Sequence, residues 1–266
     1  MAEIFIICLL FGCFSGVLAG LFGVGGGLVL VPFFMFLLDW EAVSHNLVML
    51  MAVATSLATI IVTSIAASLA HLRLGAIIWP HVFKLSGGIL FGVIAGSFVA
   101  DALLSENLRL IFALYMLFVA IQMARPAKQQ VRDKLLRGVT LKISGIVIGF
   151  VSAILGIGGG TLTVPLLARH QVPMRNAVAI SSACGLPIAV IGTISYAVLG
   201  WHKTGLPEGC VGYVYLPAFA GIVLSSMVSA PVGAMLANKL PAALLKRFFA
   251  ILLLVVAAKL LWVFVY

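Results

Sequence analysis

The segment Gly23-Val24-Gly25-Gly26-Gly27 recurs 133 residues later as Gly156-Ile157-Gly158-Gly159-Gly160. Consecutive glycines leave backbone N–H groups unshielded and permit positive φ, which suits a nest that closes on a small anion. Each run leads into a short apolar stretch, from Leu28 or from Thr161, with Pro32 or Pro165 near its second turn. A helix starting there points its unpaired N–H groups and positive dipole end back at the glycines, and the proline shapes it by withholding one N–H. Two such N-termini on one cavity would bind an anion with no fixed cation.

Hydroxyl pairs stand at corresponding places further along, Thr55-Ser56 in Ala54-Thr55-Ser56 and Ser181-Ser182 in Ile180-Ser181-Ser182. A serine or threonine in an apolar helix can bond the carbonyl four residues back. Recurrence favours a second role, as donors to the same cavity. The expected substrate-binding set is therefore Gly23, Gly25, Gly26, Gly27, Pro32, Thr55 and Ser56, matched by Gly156, Gly158, Gly159, Gly160, Pro165, Ser181 and Ser182. Gly185 and Pro187 beside the second pair predict that this stretch too is broken. No catalytic set accompanies these residues: there is no G-x-S-G with a helical histidine and no pair of aspartates. Cys8, Cys13, Cys184 and Cys210 stand singly in apolar surroundings, so neither a disulfide framework nor a metal site is expected, and no cofactor.

The elements that must position these residues are membrane helices. Of 266 residues 64% are apolar and only 9% charged, and mean hydropathy is +1.27. A water-soluble domain is about half apolar and about a quarter charged. Runs such as 108–123 and 248–266 are apolar on every side, which excludes the alternating strands of a barrel and leaves helices in a lipid bilayer. The net charge of +9 reflects basic loops of a membrane protein rather than a nucleic-acid partner. The N-terminal apolar stretch is preceded by Glu3 and by no Lys or Arg, so it reads as retained rather than as a cleaved signal.

The recurrence extends along the whole chain. Residues 16–34 align without gaps on 149–167, and later Pro80 matches Pro217, Gly96 matches Gly233 and Arg109 matches Lys246. Residues 1–124 and 140–266 thus form two membrane repeats joined by a basic linker, 125–139. Each repeat reads as an apolar stretch, a glycine break, a short helix and three long spans: 4–20, 28–38, 46–70, 78–100 and 107–124, then 143–155, 161–168, 176–200, 213–236 and 246–265. A helix of the length 28–38 reaches about 16 Å, half the apolar thickness of a bilayer.

Two topologies follow. If each broken unit crosses the membrane, the repeats are parallel with eight spans, and basic residues divide weakly between the sides. If each is a re-entrant hairpin, there are six full crossings and the second repeat is inverted. Arg73, Lys84, the six basic residues from Arg125 to Lys142, Arg169, Arg175, Lys239, Lys246 and Arg247 then share one side. Only Arg109 and Lys203 face the other, with Lys259 snorkelling from the last span. The positive-inside rule favours this all-α arrangement of two inverted repeats, with a cytoplasmic linker and both termini outside.

The duplicated G-x-x-x-G/A-x-x-G-V/I-G-G-G-x-x-x-V-P unit and the hydroxyl pairs after it resemble the sulfite exporter (TauE/SafE) family of bacterial permeases, over the whole chain. In place of the Gly-Thr-Ser of that pattern this chain carries Ala54-Thr55-Ser56 and Ile180-Ser181-Ser182. The resemblance implies transport of a small sulfur-containing or organic anion, such as sulfite, a sulfonate or thiosulfate, across the inner membrane. Duplicated halves also mark secondary transporters that work by alternating access, with or without a coupling proton or sodium ion. A cation carrier would bring acids into the spans, and here they lie at ends or in loops. An intramembrane enzyme or an assembly protein without transport activity is the alternative.

Overall fold

The computed structural model describes residues 2–22, 26–41, 43–124, 138–237 and 242–265, so Gly23, Gly25 and linker residues 125–137 lie outside the described residues. The described part of the first half of the chain is α1 (Ala2–Phe22), α2 (Gly27–Trp40), α3 (His45–Arg73), α4 (Trp79–Ala102) and α5 (Ser105–Ala124). The second is α6 (Gly138–Leu155), α7 (Gly160–Arg169), α8 (Met174–Leu199), the strands β1 (Cys210–Val211) and β2 (Val214–Tyr215), α9 (Leu216–Ala237) and α10 (Ala242–Val265). Matched sequence positions take matched places. Pro32 and Pro165 are each the sixth residue of a short helix, and Pro80 and Pro217 each the second residue of a long one, where no intrahelical N–H is required.

Six described helices are long and apolar enough to cross a membrane: α3, α4, α5, α6, α8 and α9. Five coincide with the expected spans. The sixth, α6, was expected as a short hairpin arm from residue 143, but helix begins at Gly138 and reaches 18 residues. Within α10, Ala250–Leu261 is a shorter apolar helix, as are Ile4–Gly20 of α1 and α2. The break expected at Gly185 and Pro187 is absent: α8 runs unbroken through both. Pro187 removes one N–H from the ladder, and packing of α8 on α3 and α4 holds the helix continuous around it.

Helix pairing crosses between the halves. Helix α1 lies parallel to α9, with Gly12 against Ile222 and Ser225, Gly16 against Ser226 and Ser229, and Gly233 against Val17. Helix α4 lies parallel to α6 in the same way, with Gly88 against Lys142, Gly92 against Ile146 and Gly96 against Phe150. Small residues at every fourth position let these backbones touch, the packing that serves where lipid removes the hydrophobic drive between helices. At the centre α3 and α8 run antiparallel, Gly185 meeting Ser64 and Gly192 meeting Leu57. Helix α2 doubles back along α1: Gly26 lies against Ser15 and Ala19, Phe33 stacks on Phe11 with centroids 3.7 Å apart, and Leu37 and Trp40 come beside Ile4 and Ile7. Lys259 of α10 sits 3.9 Å over the Phe36 ring of α2, a cation–π contact that keeps its ammonium group paired.

A side chain on Gly92 has nowhere to go, since its Cβ would lie 2.1 Å from the Ile146 carbonyl oxygen, whereas Gly87 faces open space. Gly92→Val should force α4 from α6 at a cost of about 1–3 kcal/mol or more, seen as a lower melting temperature in detergent. Gly87→Ala, measured beside it, should be close to neutral or slightly stabilising.

Candidate functional site

The two glycine-led helix starts, at α2 and α7, are built alike. Gly26 (φ 76°, ψ −10°) and Gly159 (φ 74°, ψ −3°) cap α2 and α7 in the left-handed region that favours glycine. Each carbonyl accepts two N–H groups of the following helix, Val29 and Leu30 at 3.0 Å on Gly26, Leu162 and Thr163 at 3.1 and 2.8 Å on Gly159. Each glycine also faces the helix before it at equivalent positions, Ser15 and Ala19 for Gly26, Ile148 and Ser152 for Gly159. The N–H groups of Gly160 and Thr161 come too early to find a carbonyl of their own helix.

The two breaks touch. A Cβ on Gly27 would lie 2.5 Å from the Gly156 carbonyl oxygen and 2.9 Å from Ile157 Cα. The same carbonyl accepts the Ser56 hydroxyl at 2.8 Å. Gly156, Gly158, Gly159 and Gly160 are all buried, as are Gly26 and Gly27. Non-helical backbone is tolerated in such a setting only where protein or a wet cavity satisfies it.

A narrow crevice lies beside the second break, its volume about 10 Å³, room for roughly one water molecule. Gly158, Ser181, Ser182 and Gly185 line one side, and Thr63, Ser64 and Ala67 of α3 the other, with small residues of α1 and α9 at the edge. None of the described lining residues is charged. The Ser181 hydroxyl is 1% exposed and has no partner among the described residues. Ser182 instead donates to the Val178 carbonyl at 3.1 Å, the back-bond open to any helical serine. Ser152 and Thr163, also buried near this break, carry further hydroxyls without a partner among the described residues.

The first pair sits differently. The Thr55 hydroxyl oxygen accepts the Tyr215 N–H at 3.0 Å, and Ser56 is spent on Gly156, so neither lines the crevice. Pro32 is buried in α2 and Pro165 half-buried in α7, both within helix and away from the lining. Thr63 and Ser64 had no place in the sequence reading. They follow Ser56 at the seventh and eighth positions, hence on one helical face, and that spacing was the signal available for them. Cys184 is buried beside the lining serines without being among the lining residues. No group of three or more His, Cys, Asp or Glu that could hold a metal exists among the described residues.

A family model described as Sulfite exporter TauE/SafE matches residues 8–260. A Haemophilus influenzae protein named "Probable membrane transporter protein" is 39% identical over 258 residues, 97% of this chain and 98% of its own. A similarly named protein of Methanocaldococcus jannaschii is 27% identical over 228 residues, covering 85% of this chain and 81% of its own. One from Bacillus subtilis is 26% identical over 221 residues, 74% of this chain and 79% of its own. No solved structure matches the chain. The chain, a multi-pass helical membrane protein with a duplicated glycine break at its centre, belongs to the sulfite exporter TauE/SafE family.

Proposed function

We propose that the protein is a secondary transporter that moves a small anion, sulfite, a sulfonate or a related sulfur-containing or organic anion, across the inner membrane by alternating access. The observation that carries this is the buried, unpartnered Ser181 hydroxyl beside Gly158, in an uncharged crevice at the head of α7. Free N–H groups, the positive end of a helix and a hydroxyl are donors without formal charge. Together they stabilise an oxyanion, yet hold it less tightly than a buried Arg would, which suits a site that must release its cargo. Such a site selects by size and hydrogen-bond pattern. A proton or sodium ion as coupling partner fits this reading.

The doubling back of α2 along α1, and the exchange of partners between the halves, support two inverted repeats with six crossings and two re-entrant hairpins. In that arrangement 1–124 and 140–266 are the repeats, and the crevice opens toward the basic side, where Arg73 ends α3 and Arg175 begins α8. A periplasm-sensitive reporter fused after Tyr266 should be active, and one inserted between Arg132 and Lys134 silent. A silent C-terminal fusion on a functional protein would restore the eight-span topology.

Purified protein in liposomes, offered sulfite, sulfonates, thiosulfate, small carboxylates and chloride, tests the cargo directly. Removing one hydrogen bond to a charged ligand costs roughly 1.5–3 kcal/mol, so Ser181→Ala should weaken apparent affinity about ten- to a hundredfold. Ser182→Ala, whose hydroxyl is already spent on Val178, should cost less. Lys84→Ala should leave affinity nearly unchanged, and abolition by that change would overturn the uncharged site. Gly159→Val adds a β-branched side chain at φ 74°, with its Cβ 2.7 Å from Ile188 Cδ1. It should abolish transport in protein that still reaches the membrane, at a strain of about 1–3 kcal/mol.

A further inference from the structure

The two halves differ most in one connection. Between α3 and α4 only residues 74–78 intervene, whereas α8 and α9 are joined by residues 200–215, which carry the β1–β2 ribbon. A two-stranded ribbon is marginal by itself, and this one is held by what it is pressed into. Tyr213, Val214 and Tyr215 are buried. At its turn Gly212 (φ 55°) lies flush on the end of α8, where a Cβ would be 2.2 Å from the Ala197 carbonyl oxygen. The Tyr213 hydroxyl donates to Asp101 of α4 at 2.6 Å, Lys203 reaches the same carboxylate at 3.9 Å, and the Tyr215 N–H donates to Thr55 of α3.

The ribbon and the crevice occupy opposite ends of the central antiparallel pair. On α3 the ribbon holds Thr55 and the crevice uses Ser64, about 14 Å further along at 1.5 Å per residue. On α8 the crevice uses Ser181, and the ribbon packs beyond Tyr196, about 22 Å further along. Thr55 and Ser181 are also the matched residues of the two repeats. The Ser181 hydroxyl borders the crevice and has no partner among the described residues, while its counterpart already holds a backbone N–H of the ribbon.

We propose that residues 200–215 are the outer gate of the transport path, a tethered plug whose Tyr215 amide occupies Thr55 while the Ser181 crevice is open and withdraws when that crevice closes. This rests on the transport reading above. The plug is held by a few hydrogen bonds and by packed tyrosines, with no covalent tie to α3 or α4, so it can leave as a unit. The end it seals carries Asp39, Glu41, Asp101 and Glu208, opposite to the end where Arg73 and Arg175 lie. Withdrawal would free Thr55 and the part of α3 around it. Burial also pushes the Cys210 thiol of β1 up to about 11, so this cysteine is a slow nucleophile while the ribbon is seated.

Two measurements test the gate. In a Cys13→Ser background, maleimide labelling of Cys210, mapped by mass spectrometry, should run roughly tenfold faster in Tyr213→Phe and Asp101→Ala than in the parent, because each removes the Tyr213–Asp101 bond that helps to seat the plug. Separately, a Cβ on Gly205 would lie 3.9 Å from the Leu47 side chain, so Leu47→Cys with Gly205→Cys can be bridged by a short thiol-reactive cross-linker cleaved by dithiothreitol. Bridging should drop sulfite or sulfonate transport below about a tenth, with recovery on reduction, while binding to the solubilised protein stays within about twofold. Equal Cys210 labelling in parent and variants, or transport above about half after complete bridging, overturns the gate. If no anion of the panel binds or moves in the unbridged protein, the cargo reading falls instead, and the labelling, which needs no substrate, still decides the gate. Should Gly205→Cys fail to accumulate, the labelling decides it alone.

Discussion

Backbone polar groups that no water can reach must be satisfied within the protein, and this constraint governs the two glycine breaks on which the molecule is centred. Most of the chain meets it by being helix. At Gly26 and Gly159 it is met by a left-handed residue whose carbonyl collects two N–H groups of the next helix. At Gly156 it is met by the hydroxyl of Ser56, donated across from the other repeat. The contact of Gly27 with Gly156 then brings the two breaks together with no side chain between them. At the head of α7 two first-turn N–H groups come too early for a carbonyl of their own helix, and the Ser181 hydroxyl of the crevice has no partner among the described residues. Those groups are what the proposed anion would satisfy.

The small residues that let α1 approach α9, and α4 approach α6, tie each repeat to the other rather than to itself. A duplicated chain built this way has no separable halves, and its central space is bounded by both. The halves are not identical. The long connection 200–215 presses its tyrosines against α3, α4 and α8, and only one of the two hydroxyl pairs borders open space. On the proposed reading this asymmetry belongs to one state of the cycle, with one end open and the other plugged.

Absence of charge in the crevice shapes its chemistry as much as the donors do. Described ion pairs lie at helix ends, Asp39 with Arg109 at 3.2 Å and Asp101 with Lys203 at 3.9 Å. Keeping charge out of the middle spares the protein the cost of desolvating it. On the proposed reading, an anion entering that space would exchange water for amides and hydroxyls already in place.

The sequence by itself determined the membrane class, the duplication, the helical character of nearly every described element and the two glycine breaks, because these follow from composition, periodicity and residue-specific backbone freedom. It also singled out Ser181 and Gly158 by recurrence alone. Tertiary structure decided what local pattern could not. It kept α8 continuous through Pro187, because neighbouring helices support a span that proline would break in isolation. It lengthened α6 back to Gly138. It separated Thr55 from Ser181, residues that recurrence treats as equals, by pressing Tyr215 onto one and leaving the other bare. It brought in Thr63 and Ser64, whose hydroxyls acquire a place only when α3 lies antiparallel to α8. A residue's backbone preference is written into its own chemistry, but whether its hydroxyl meets a partner or an empty crevice depends on segments more than a hundred residues away, and only the packed chain brings those together.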